Sequence, residues 1–316
     1  MKALITGIAG FAGSHLAELL LEGGDEVCGC IFPGESTRNV DAFKSQLRLV
    51  TCDIRDSDAV SRLLADVSPE AIYHLAAIAF IPDSFADPRL TFETNLMGSL
   101  NLFEAAKKSA DSARILFVGS ADEYGIVREG ELPVDEENPL RPANPYSVSK
   151  VGASMLAYQY GLSGQIDVVR VRPFNHTGPR QSPQFVCSDF ARQIVEAEKG
   201  KRAAEIRVGN LTPKRDFTDA RDVVRAYREV LKRGESCEVY NICSGRAVEI
   251  REILNMLISA SGQDIRVVER QNRVRKSEVK EIRGDFGKLE RATGWKPSIP
   301  LQQTLEDLLD YWHSTV

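Results

Sequence analysis

Residues 2–13 read Lys-Ala-Leu-Ile-Thr-Gly-Ile-Ala-Gly-Phe-Ala-Gly. An apolar run of strand length breaks at Gly7. Directly after Gly13, Leu16, Leu19 and Leu20 recur at helical spacing. Strand, glycines and helix in that order point to a phosphate cradle. The glycines let the chain turn tightly and let backbone N–H groups approach a pyrophosphate seated on the helix N-terminus. A plain strand-to-helix turn would also use glycine, so the rest of the chain has to decide. Gly7, Gly10, Phe11, Ala12 and Gly13 are the candidate dinucleotide contacts.

Working outward, segments 26–32, 47–51, 71–75, 114–119 and 166–173 are short, rich in Val, Ile and Leu, and bounded by Gly, Pro or Asp. Near-continuous apolarity of that kind suits parallel strands buried on both faces. Between them, 14–22, 56–65, 89–109 and 145–163 carry helical periodicity. Strand–helix alternation predicts an α/β fold: a Rossmann-type doubly wound parallel sheet with right-handed crossovers. After Pro173 the rhythm changes. Gly178 to Pro183 is turn-rich, 185–199, 219–233, 248–261 and 301–313 read as helices, and 238–243 as a strand. The expected division is a dinucleotide-binding domain over 1–174, with 219–245 returning to it. A smaller mixed α/β substrate-binding domain takes 175–218 and 246–316, packed tightly on the first.

The chain has 316 residues, 43% hydrophobic and 27% charged, which suits a protein with a full core and not a disordered one. Its formal net charge is −5, without the basic surplus of a nucleic-acid binder. The longest apolar run, 75–82, falls far short of a membrane helix, and Thr6-Gly7 cuts off any signal-peptide reading of the N-terminus. Six cysteines form no C-x-x-C pair, so buried free thiols in a reducing cytoplasm are expected. Four histidines lack metal-type spacing, and no metal site is expected.

Coenzyme choice turns on the end of the second strand, Cys30-Ile31-Phe32-Pro33, which has no acid for a ribose 2′-hydroxyl. Glu35 comes late, and Arg38 suits a 2′-phosphate. The reading leans to NADP(H) and leaves NAD(H) open. Asp53, followed by Ile54, either reaches the adenine amine or caps the next helix. The most chemical spacing is Tyr146-x-x-x-Lys150 at a helix start after Asn144-Pro145. A spacing of four puts both on one helical face. A nearby ammonium favours phenolate, which predicts a lowered Tyr146 pKa and proton exchange with an alcohol or carbonyl oxygen near neutrality. Alone, the pair is as readily a solvated helix face. The glycine cradle upstream and Ser120, at the end of a strand, give it weight.

Taken together, Thr6-Gly7-x-x-Gly10-Phe11-x-Gly13, His74-Leu75-Ala76-Ala77, Ser120, Tyr146-x-x-x-Lys150 and Arg172-Pro173-Phe174-Asn175 resemble the extended short-chain dehydrogenase/reductase family. The resemblance runs through to Gly294-Trp295-Lys296-Pro297. It implies an enzyme of nucleotide-activated sugars. The cradle, Leu75, Ala76, Ala77, Tyr146, Lys150 and Phe174 would hold the nicotinamide coenzyme, and Asn175 and later segments the sugar nucleotide. Phe174 to Pro179 with Phe185-Val186, Arg215-Asp216-Phe217-Thr218-Asp219, and Arg275-x-x-Glu278-Val279 resemble the GDP-mannose branch. The resemblance implies Arg215 and Arg275 on a diphosphate, which arginine forks match, and Glu278 on ribose hydroxyls. Each alone is as readily a surface salt bridge. Lys276 stands where that branch has Pro, and Arg180 where related reductases have Gly.

Within the branch, dehydratases carry Thr-Ser-Glu where this chain has Ser120, Ala121 and Asp122. Their Glu takes the C5 proton. Asp is a methylene shorter, and a shift of about 1 Å costs about a hundredfold in rate. Thr177-Gly178-Pro179 also follows the reductase form. Glu123 is expected to point elsewhere if the strand continues. The resemblance therefore implies reduction of the C4 carbonyl of GDP-4-keto-6-deoxy-D-mannose to GDP-D-rhamnose. Ser120 and Tyr146 would stand at the carbonyl oxygen, Tyr146 as proton donor, and Lys150 would steady the phenolate. Asp122 would orient the sugar or cap a turn. Two alternatives stay open: a dehydratase or epimerase of a related sugar nucleotide, and a non-catalytic dinucleotide sensor, against which Tyr146 and Lys150 speak. The resemblance also implies a homodimer through helices 89–109 and 145–163; Leu90, Phe92, Leu96, Leu100 and Phe103 face more than one side, which fits that pairing or burial under the second region.

Overall fold

The computed structural model describes residues 1–109, 113–128, 130–269 and 280–316. The described residues hold a seven-stranded sheet in which every neighbouring pair is parallel. In chain order its strands are β1 (Lys2–Thr6), β2 (Glu26–Ile31), β3 (Arg48–Thr51), β4 (Ala71–His74), β5 (Arg114–Val118) and β6 (Asp167–Pro173). The later strands are β7 (Asn175–Thr177), β8 (Glu205–Val208), β9 (Lys214–Asp219) and β10 (Val239–Ile242), then β11 (Ala247–Glu249), β12 (Arg266–Glu269) and β13 (Glu281–Ile282). The large sheet runs β10-β6-β5-β4-β1-β2-β3. The expected doubly wound sheet is therefore present.

Helices cover both faces. On one, α1 (Phe11–Glu22) brings Leu16 and Leu20 against the sheet. On the other, α2 (Ser57–Val67) brings Val60, Leu63 and Leu64. Next come α3 (Ile81–Ala86), α4 (Pro88–Phe92), α5 (Gly98–Ser109) and α6 (Pro145–Leu162). The helix expected over 89–109 is broken by a π-helical turn, Glu93–Met97, between α4 and α5. Beyond it lie α7 (Val186–Glu198), α8 (Ala220–Arg233), α9 (Ile250–Ser261), α10 (Gly287–Thr293) and α11 (Leu301–Thr315). Amphipathic α8 joins α1, with Val223, Tyr227 and Val230 in the same core.

A second core is built by α7, α9 and α11 with β8 and β9, around Phe190, Ile194, Leu254 and Leu308. β7, β11 and β13 flank β9. Buried Asp222 of α8 accepts the Ser298 and Ile299 amides at 2.6 and 2.8 Å, and Trp295 donates its indole N–H to the Asp222 carbonyl at 3.0 Å. The break at Gly294 to Pro297 is thus fastened to the first region. No described helix is long and apolar enough to cross a membrane.

Candidate active site

Parallel strands all end on one edge, so the residues after β1, β2, β3, β4, β5 and β6 converge there. Gly7 takes a φ of +73°, open to glycine at little cost, and a β-carbon on it would sit 3.0 Å from the Ala76 backbone. At Gly13 a β-carbon would lie 2.2 Å from the Gly7 carbonyl oxygen, and at Gly10 3.1 Å from it. Only glycine permits this fold of the loop, beginning with Phe11, onto the helix. No side chain caps α1 and its first turn holds no acid, so the dipole there is uncompensated. Phe11 stacks on His176 with ring centroids 5.7 Å apart, and Ala12 follows it in the first turn.

The adenosine side is organised by β2, β3 and β4. Arg38 is exposed at the start of a 3-10 helix, Arg38–Gln46. Asp53 is not the helix cap: Asp56 accepts the Asp58 and Ala59 amides at the start of α2. The Asp53 carboxylate instead grips Arg55, Nη2 to Oδ2 2.6 Å, and that pair holds its pKa below the usual range. The Ile54 carbonyl takes the Asn101 amide at 3.0 Å. The Leu75 amide donates to the Thr6 carbonyl at 3.3 Å and the Ala76 amide to the Thr6 hydroxyl at 3.1 Å, with Ala77 next in line.

Ser120, Asp122, Tyr146 and Lys150 do come together. β5 stops at Val118, and Ser120 opens a 3-10 turn, Ala121–Glu123, accepting the Asp122 amide at 3.1 Å. Ser120 and Asp122 both lie close enough to the Tyr146 phenol to act on its ionisation, Ser120 lowering its pKa and the Asp122 carboxylate raising it. Asn144 and Ser147 cap α6 reciprocally and fix both residues of its first turns. The expected lowering of Tyr146 does not occur: burial pushes the phenol up, Asp122 and Glu123 push it further, and Ser120 only partly offsets them. Lys150 directs its ammonium to the Val118 carbonyl at 2.8 Å, and burial lowers its pKa to about 8.

Glu123 points elsewhere, as expected, but by another route. The strand does not continue, and the turn swings this carboxylate inward beneath Ser120, onto Arg172.

Of the residues assigned to the sugar nucleotide, Asn175 is exposed on β7. Phe185 meets Phe80 edge-on at 5.7 Å, next to Val186 at the start of α7. Arg215 lies on β9, between β11 and β13, with Nη1 on the Lys214 carbonyl at 2.9 Å. Phe174 is buried against Tyr124. Arg275, Lys276 and Glu278 lie outside the described residues.

Sequence reading missed Asn95. In the π-helical turn it accepts the Ile78 amide at 2.8 Å and donates to the Ile78 carbonyl and the Ser149 hydroxyl, each at 3.0 Å. It ties the segment after Ala77 to α6. His74 is also part of the frame, bridging the Thr6 and Ser99 hydroxyls at 2.8 and 2.9 Å.

This site has relatives. The family described as GDP-mannose 4,6 dehydratase matches residues 4–308. The GDP-6-deoxy-D-mannose reductase of Pseudomonas aeruginosa is 36% identical over 315 residues, covering 100% of this chain and 98% of that protein. Among solved structures, RMD from Pseudomonas aeruginosa complexed with NADPH superposes with a TM-score of 0.85 at 35% identity, covering 100% of both chains. The UDP-glucose 4-epimerase of Thermus thermophilus complexed with NAD superposes at 0.89 with 30% identity, again over 100% of both chains. The resemblance drawn from the motifs is borne out: the chain belongs to the GDP-mannose 4,6 dehydratase family of extended short-chain dehydrogenase/reductases.

Proposed function

We propose that the protein is a nucleotide-sugar 4-reductase. It takes NADPH or NADH and reduces the C4 keto group of GDP-4-keto-6-deoxy-D-mannose, giving GDP-D-rhamnose. The observation that carries this reading is buried Tyr146 beside Ser120, one helical turn from buried Lys150, at the strand edge that also holds the glycine cradle. The Pseudomonas aeruginosa relative, a GDP-6-deoxy-D-mannose reductase, and the NADPH complex agree with it.

The chain fits a nicotinamide dinucleotide. Its cradle is closed to any β-carbon at Gly13, and an uncapped helix start faces it. Gly7, Gly10, Phe11, Ala12 and Gly13 would hold the pyrophosphate. Arg38, Asp53 and Ile54 would take the adenosine end, and Leu75, Ala76, Ala77, Tyr146, Lys150 and Phe174 the nicotinamide end. When bound in reduced form, the coenzyme supplies hydride for the carbonyl carbon. Tyr146, kept protonated at neutral pH by its surroundings, hands its proton to the alkoxide oxygen as charge develops there. Ser120 offers the same oxygen a hydroxyl. Lys150 meets the phenolate with an ammonium charge.

We assign the sugar nucleotide to Asn175, Phe185, Val186 and Arg215, with Arg275 and Glu278. Residues 1–174 with 219–245 are read as the coenzyme domain, and 175–218 with 246–316 as the substrate domain. A homodimer is supported by α6, where Val148, Met155 and Leu162 recur every seven residues and all three are exposed. A cytoplasmic setting is supported by six free cysteines among the described residues.

The test mixes protein, NADPH and the 4-keto sugar nucleotide and follows the absorbance of the reduced coenzyme, with the product identified by NMR. No decay with the wild type, or undiminished decay with Tyr146→Phe, rejects the reading. A dehydratase reading is favoured by one observation, an Asp122 carboxylate near enough to Tyr146 to raise its pKa. Turnover of GDP-mannose itself, without net loss of NADPH, would establish it instead.

A further inference from the structure

Beneath Ser120 lies a buried ion pair that the reaction as drawn does not use. Glu123 is fully buried, and its Oε2 accepts Arg172 Nε at 2.8 Å. Its Oε1 accepts the Ser120 amide at 3.0 Å. Arg172 is also buried on β6. It donates to the Tyr124 hydroxyl at 3.1 Å and lies 4.8 Å from the centre of that ring. Tyr124 in turn donates to Asn241 Oδ1 at 2.7 Å. The carboxylate lies so close to the chain that a β-carbon at Gly119 would sit 2.2 Å from Oε1. On the preceding residue, the Val118 carbonyl receives the Lys150 ammonium. Two charged groups therefore converge on the end of β5.

A buried ion pair is weak support for stability, since desolvation offsets most of its attraction. Its place, on the backbone amide of the residue that bears one reacting hydroxyl and two residues beyond the carbonyl that takes the lysine, calls for another role. We propose that Glu123, backed by Arg172, is a positioning residue for the Ser120–Tyr146–Lys150 site: it fixes the Ser120 amide and brings its carboxylate to the same end of β5 that takes the Lys150 ammonium. This rests on the reductase reading for its rate effect, but not for its effect on Lys150.

The groups around Lys150 support that division of labour. From β4, His74 is neutral, pushed down to about 3 by burial and by Lys150 itself. From β5 come the Phe117 ring, 5.3 Å from the ammonium, and the Val118 carbonyl. From the 3-10 turn, Asp122 raises Tyr146, while Glu123, itself pushed up by burial and held down by Arg172 and the Ser120 amide, raises Lys150 against its burial. From β6, Arg172 pairs with Glu123, and Glu123 also raises Arg170. From α6 comes Tyr146, protonated.

The test compares Glu123→Gln, which keeps an acceptor for the Ser120 amide and loses the charge, with Glu123→Asp, which keeps the charge and draws it back. Arg172→Met combined with Glu123→Gln leaves no unpaired buried charge, and serves if the single variant fails to fold. Two measurements are made. The first follows Lys150 in the coenzyme-free protein through its ε-carbon NMR shift against pH, assigned by the loss of that signal in Lys150→Met. The second is steady-state kinetics with NADPH. In Glu123→Gln, or in the double variant, the Lys150 midpoint is expected about one pH unit below wild type, and kcat about tenfold down with KM little changed. Glu123→Asp restores the midpoint but not kcat. A folded Glu123→Gln or double variant with the wild-type Lys150 midpoint, or with the wild-type kcat, overturns the proposal. Should the wild type not reduce the 4-keto sugar at all, the reductase reading falls, while the NMR midpoint still decides for or against Glu123.

Discussion

Lys150 gives its ammonium to the Val118 carbonyl, 2.8 Å away, and not to the phenol of Tyr146 one turn before it. Burial then leaves Lys150 with a pKa of about 8 and pushes Tyr146 upward. Near neutrality both groups are protonated, which is the state a proton donor and its supporting cation need. As pH rises through about 8 the ammonium is lost first. The rate of keto-sugar reduction is therefore expected to fall through that range. Lys150→Arg, whose charge persists, should carry the fall to higher pH at a lower maximum rate. A wild-type profile of kcat that stays flat well past pH 8 would remove Lys150 from this role.

Tyr146→Phe deletes one oxygen and keeps the ring packed. Proton donation then falls to Ser120 or to water, and a loss of about 10²–10⁴ in kcat is expected, the usual weight of a positioned general acid. Coenzyme affinity, measured by fluorescence titration of NADPH, should fall far less than kcat, because the phenol is one contact among many and the pyrophosphate cradle lies elsewhere. A parallel loss of affinity would show that the phenol binds and does not donate.

How much of this was legible in the sequence follows from where each signal sits. The cradle was readable because tight turns demand glycine: Gly7, Gly10 and Gly13 are dictated by distances of 3.1 Å or less. Tyr146 and Lys150 were readable because helical spacing alone places them together. The Tyr146 pKa was misread, since spacing says nothing of burial or of Asp122 approaching from another element. Glu123 could not be placed without knowing that β5 stops at Val118 and a 3-10 turn follows. Asp53 and Asp56 compete for one cap, and only backbone geometry shows Asp56 holding it. Asn95 left no local pattern, because its three partners come from Ile78 and Ser149.

That concentration of bonds makes Asn95 a sensitive point. Asn95→Ala leaves the Ile78 amide and carbonyl without their side-chain partner in a part-buried place. Stranded polar groups of this kind cost about 1–3 kcal/mol each when water cannot reach them. The variant should melt at lower temperature and bind NADPH more weakly, since the Ala76-Ala77 segment loses its tie to α6. Asn95→Asp keeps the acceptor for the Ile78 amide but loses both donated bonds, so it should fall short of the wild type as well. Unaltered melting in both variants would mean that the π-helical turn is held by its backbone alone.

Two histidines predict how the fold responds to acid. Burial lowers His15 to about 4, with Arg180 adding to the effect, and lowers His74 to about 3, with Lys150 adding to it. His15 Nε2 meets the Pro179 carbonyl at 2.9 Å, and His74 bridges Thr6 and Ser99. Both are neutral in the fold and return to about 6.5 when the chain unfolds. Between those values the unfolded chain binds more protons, so stability rises with pH there and is lost as pH falls below about 6.5. At about pH 5 each histidine should cost about 2 kcal/mol relative to neutrality. Urea midpoints of the wild type, His15→Gln and His74→Asn at the two pH values test this, each variant being compared with itself. Each substitution should remove part of the acid loss, whatever it does to stability at neutral pH. An acid loss as large in both variants as in the wild type would place the proton uptake on other groups.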